Sequence, residues 1–122
     1  MRVMVLVKAT ADSEKGFALT PETKKMLEAM GKFNDELRKA GILRDADGLK
    51  PSSHGKRVAF DGPNRKVIDG PFAHPSELVA GFSLWEVKDM DEAVTWVKRC
   101  PNPMPEPSEI EIRPLAEMDD LR

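Results

Sequence analysis

A chain of 122 residues has room for one hydrophobic core and not for two ordinary domains, so a single domain over 1–122 is expected. Forty per cent of the residues are hydrophobic and 33% charged, a balance that excludes a disordered chain; the net charge of -2, with both signs interspersed, leaves no basic stripe for nucleic acid. The one cysteine, Cys100, excludes an internal disulfide and points to a reducing compartment, and no apolar run approaches the ~20 residues of a membrane span, so a cytoplasmic location is expected.

Val3 to Val7 is a continuous, β-branched apolar run and predicts a strand buried on both faces. It is too short for a signal-peptide core, and Lys8 ends it. Ala9 to Leu19 is polar and irregular, a loop long enough to cover a site. Thr20-Pro21-Glu22 starts a helix: Thr20 suits the cap, Pro21 the first turn, Glu22 the positive end of the dipole. Met26, Met30, Phe33 and Leu37 fall on one face, flanked by Leu27 and Ala40, and Gly41 ends the helix. Ile42 to Lys50 is a short strand. Arg57–Phe60 and Lys66–Ile68 flank Asp61-Gly62-Pro63-Asn64 and predict a hairpin. Leu78 to Val87 is a strand with two apolar faces, one carrying Ala80, Phe82 and Leu84, the other Gly81, Trp85 and Val87. Asp89-Met90-Asp91-Glu92 opens a second helix with Met90, Ala93, Val94 and Val97 as its buried stripe, and Pro101 stops it. After a Pro-rich connector, Glu109 to Arg113 alternates as a strand with one wet face.

Strand, helix, strand, strand, helix, strand, with a hairpin inserted before the third core strand, is the ferredoxin-like α+β order. That fold places the first and third core strands in the middle of the sheet, and these are the two with apolar faces on either side. Two helices cover only one face. The other carries either Met4 and Leu6 or Val3, Val5 and Val7, with one apolar set from Leu78 to Val87. At roughly 25 cal/mol per Å², a few hundred Å² of wet apolar surface costs several kcal/mol. Two arrangements would cover it: a second copy stacked sheet to sheet, which is the favoured expectation, or the hairpin folded beneath the sheet of its own chain.

Asp69-Gly70-Pro71-Phe72-Ala73 has no explanation in periodicity. Together with Glu77–Phe82 and Asp91–Pro101 it resembles the DGPF family of the YCII-related group, over about Met4 to Leu115. The resemblance implies a dimeric α+β barrel: ferredoxin-like protomers, sheets face to face, and a cleft beside each sheet. It implies no settled activity. Some relatives sit beside or fused to sigma-factor-like transcription proteins, and distant barrel members such as muconolactone isomerases and dehalogenases act on small cyclic molecules. The family's usual Glu-Thr-Lys-Glu after Ala73 is His74-Pro75-Ser76-Glu77 here. The His and Asp pair of YCII-type relatives has no clear counterpart on the first helix, where Met30 and Lys39 stand.

Asp69 ends a strand before a Gly-Pro turn and has two readings, a general base aimed into a cleft or a turn cap. His74 is its candidate proton-shuttling partner, against the plain reading of a solvated histidine. Gly70, Pro71, Phe72, Glu77 and His54 complete the candidate ligand-binding set. Against it, Phe72 suits a core or dimer-seam plug, Glu77 a cap, and Ser53 with His54 lacks a third orienting group. Lys56 and Arg57 suit an anionic ligand or simply guard an edge strand. No metal-ligand spacing, phosphate loop or dinucleotide fingerprint appears, so no cofactor is expected. Three functions are consistent with this chain: a small-molecule-binding homodimer, an isomerase- or lyase-type enzyme, and a transcription-associated module.

Overall fold

The computed structural model describes residues 1–16 and 18–121; Phe17, within the expected 9–19 loop, and Arg122 lie outside them. Four strands form one antiparallel sheet: β1 (Arg2–Lys8), β2 (Leu43–Gly48), β5 (Val79–Glu86) and β6 (Ile110–Pro114), in the order β2-β5-β1-β6. The two strands with apolar residues on either face hold the middle, and the alternating Ile110–Arg113 segment lies at an edge, as the pattern predicts. With α1 (Pro21–Lys39) and α2 (Met90–Arg99) this is the ferredoxin-like α+β arrangement.

Register decides which apolar set meets the helices. Val3 pairs with Trp85, Val5 with Ser83 and Ile112, and Leu43 with Trp85, so all of these share one face. That face packs on Phe33 and Leu37 of α1 and Ala93 of α2, with Ile42 and Val87 closing the core. Trp85, Leu37 and Val3 are almost wholly buried, each contributing roughly 1.5–3 kcal/mol. Phe33 touches the Trp85 and Trp96 rings at tilted and edge-on angles, with centroids 6.4 and 6.2 Å away.

Both helix ends are closed by their own residues. Thr20 accepts from the Thr23 amide (3.2 Å) and its own amide donates to the Thr23 hydroxyl (2.7 Å), a capping box with threonine in the place of glutamate. At the other end, the amides of Gly41 and Ile42 donate to the carbonyls of Arg38 and Leu37, and Gly41 takes a φ of 76°. That is a Schellman close, sealed by Ile42 against Leu37 in the core. Asp89 caps α2 by accepting from the Glu92 amide at 2.9 Å. The stripe of α2 differs from the expectation at one position: Val94 is 36% exposed, and Trp96 packs on the core instead. Met90, Ala93, Trp96, Val97 and Cys100 form the inward stripe, rotated because the larger indole edge reaches Phe33.

The hairpin forms a separate two-stranded sheet, β3 (Lys56–Asp61) and β4 (Asn64–Asp69), turning at Gly62 and Pro63. Every residue of both strands is exposed, so the hairpin does not fold under its own sheet. The helix-free face, with Met4, Leu6, Phe82 and Leu84 at its centre, is therefore not covered by this segment.

Candidate functional site

The segments that carry the candidate residues gather at one end of the sheet. The amide of Ala9, just past β1, donates to Leu78, and that of Leu49, just past β2, to Ala80. From this end the 10–16 loop, the short 3-10 helix Ser52–His54 and the turn after β4 converge.

Ser52 ties them together. Its amide donates to the Glu14 carboxylate at 3.0 Å, its hydroxyl donates to the same carboxylate, and that hydroxyl accepts from the Phe72 amide at 3.0 Å. Glu14, Ser52 and Phe72 are all half-buried. The hydroxyl is thus used fully, and a carboxylate from the first loop orders two others. Gly70 lies so close to the Ser52–Gly55 turn that a Cβ there would come within 1.8 Å of the Ser52 carbonyl oxygen. Only glycine fits, and the approach lets its amide donate to the Gly55 carbonyl at 3.0 Å. The Gly70–Pro71 peptide is cis. Above this frame the Arg57 guanidinium sits 3.9 Å from the Phe72 ring centroid, a cation stacked on an aromatic face.

The remaining candidates are placed as follows. Asp69 is exposed and pairs with Lys56 across the base of the hairpin. His74 is exposed, takes a left-handed backbone (φ 61°), and its carbonyl accepts from the Glu77 amide at the start of the 3-10 helix Pro75–Glu77. Among the described residues no side-chain hydrogen bond joins His74 to Asp69 or Glu77. His54 and Glu77 are exposed as well, as is Pro71. The structure therefore brings together Gly70, Phe72, Ser52 and Arg57, and leaves Asp69, His74 and His54 on the rim. Glu14 was invisible in the sequence: nothing in a polar loop indicates a partner 38 residues away.

Two shallow, open depressions lie elsewhere. One of about 560 Å³ runs along α2 past Asp89, Glu92, Thr95, Trp96 and Arg99, where Arg99 stacks on Trp96 and pairs with Glu36. The other, about 270 Å³, lies beside Cys100, Asn102 and Ile110. Burial pushes the Cys100 thiol up to about 11. A disulfide reagent at pH 8 should thus label it roughly 100-fold more slowly than free cysteine. Among the described residues no cluster of three or more His, Cys, Asp or Glu is placed to hold a metal ion, and no helix is long and apolar enough to cross a membrane.

Comparison with known proteins agrees with the topology. The chain is 27% identical over 95 residues to an uncharacterised protein of Rhizobium meliloti (strain 1021), covering 78% of this chain and 77% of that protein. The family model of the YCII-related domain matches residues 1–119, from the first strand to the C-terminal tail, and the chain belongs to the YCII-related family.

Proposed function

We propose that this chain is a DGPF-type member of the family that works in the cytoplasm as a homodimer, binding a small molecule at the loops around Phe72. The observation that carries the reading is the Glu14–Ser52–Phe72 tie. It fixes three loops before any ligand arrives, which lowers the ordering cost of binding. Arg57 over Phe72 offers a flat, cationic platform suited to a small anionic or aromatic acid. Met4, Leu6, Phe82 and Leu84 give a second copy an apolar face to cover, and such a copy would wall the loop cluster into a cleft. The single half-buried thiol fits a reducing compartment.

The geometry favours binding over catalysis. An isomerase or lyase using Asp69 and His74 needs both side chains to reach the reacting groups of one bound substrate. Asp69 is instead engaged by Lys56, and both candidates stand in solvent. A set of small carboxylates and aromatic acids, titrated into isotope-labelled protein, tests the proposal. Amide shifts concentrated at Ser52, Gly55, Gly70 and Phe72, and abolished by Arg57→Ala, are expected. Shifts that avoid these amides would contradict it.

A further inference from the structure

The hairpin is the part of the protomer that its own fold leaves unfinished. Phe60, Val67, Val58 and Ile68 are 71%, 59%, 48% and 39% exposed. Val58 and Val67 pair directly and share a face with Phe60, an apolar strip bounded at the root by the Lys56–Asp69 pair and at the tip by Arg65, whose guanidinium lies 4.5 Å from the Phe60 ring centroid. A lone two-stranded hairpin with no face packed is marginal in water. Yet its root is fixed: Gly70 is wedged against Ser52 and Gly55, and Lys56 pairs with Asp69. An apolar arm on a rigid root is preorganised to dock.

We infer that the β3–β4 hairpin is a dimer arm, and that each protomer lays it on the β2 flank of the other's helix-free sheet face. The inference rests on the homodimer reading and specifies its contact. Area supports it. A four-stranded face about 20 Å square offers a footprint of roughly 400 Å², about half of the ~800 Å² per partner usual in stable complexes. One arm from each protomer, presenting roughly 300 Å² of apolar surface of the kind that seeks a partner, brings the total to roughly 700 Å² per partner, close to that size.

Charge selects the landing place. The hairpin carries Lys56, Arg57, Arg65 and Lys66 against Asp61 and Asp69. On the open face, Asp45 pairs with Leu84 and Asp47 with Phe82, so two acids of β2 border the apolar centre. The opposite flank, on β6, mixes Glu111 with Arg113, which pair with each other. A cationic arm is drawn to the β2 side, and the two-fold axis repeats the contact.

Sedimentation equilibrium on the full chain and four variants tests this, with circular dichroism as the folding control. Phe60→Ser with Val67→Ser should weaken the dimer at least 100-fold while leaving the spectrum unchanged, since both residues are exposed. Arg65, which pairs with Phe60 and so shares the docking face, is the cation to swap: Arg65→Glu and Asp47→Lys should each weaken it five- to tenfold, and together should restore it to within twofold. A dimer unaffected by the serine pair would overturn the arm, assigning the hairpin to another occupant while the homodimer stands. Charge variants that are not rescued in combination would overturn the β2 landing place. A monomeric parent chain would remove the dimer, and the arm with it.

Discussion

The two ends of this molecule are held together by different physics. Around Trp85, Leu37 and Val3 the chain is fixed by burial, with both helices sealed at their ends and the strands in register. Around Ser52, Gly70 and the hairpin it has no buried side chain at all. There the order comes from a few polar ties and from one backbone approach that only glycine permits. The helix-facing core of the first region needs nothing further. The second is shaped but incomplete, as a surface awaiting a ligand and a partner would be.

Substitutions at each end should show the contrast, and the deepest is Trp85→Ala. It empties the centre of the core and should remove about 3–5 kcal/mol from the unfolding free energy, read by denaturant titration. A loss under about 1 kcal/mol would mean the core is not where stability resides. Gly70→Ala comes next: relieving a backbone clash of this depth should cost about 2–3 kcal/mol. Hydrogen exchange should locate the damage at 52–55 and 70–72, with β1 and β5 still protected; uniform loss of protection would erase the distinction between the two ends. Ser52→Ala leaves the Phe72 amide without its acceptor and removes the hydroxyl donor to Glu14, which keeps only the amide at position 52, for about 1–2 kcal/mol, and should weaken acid binding at the cluster. Asp69→Asn breaks a pair whose side chains are 66% and 74% exposed and should change stability by less than about 1 kcal/mol. A greater loss would promote Asp69 from rim to frame.

The same contrast decides what could be read in the sequence. The strands, both helices and the sheet order were legible because burial writes a period into the chain: Met30, Phe33 and Leu37 at helical spacing, Phe82 and Leu84 alternating with Trp85. Where side-chain size competes with spacing, size prevails, and Trp96 takes the inward place that spacing assigns to Val94. The Thr20–Thr23 box was half visible, because threonine at the fourth position is a weaker signal than glutamate. The loop cluster was marked by Asp69-Gly70-Pro71-Phe72, whose glycine proves indispensable for packing. The residues that organise it, Glu14 and Ser52, meet across 38 positions through hydrogen bonds that carry no period. Asp69 and His74, close in sequence, are separated in role because one is engaged by Lys56 and the other terminates in a left-handed turn.

All of this turns on whether the sheet surface opposite the helices is finished by another copy of the chain. Sedimentation equilibrium of the unaltered protein at low micromolar concentration is the direct measurement. The account predicts a mass twice the 13.6 kDa of the protomer; a single-protomer mass persisting to about 100 μM, a range in which a weak association of about 5–6 kcal/mol would already register, would contradict it.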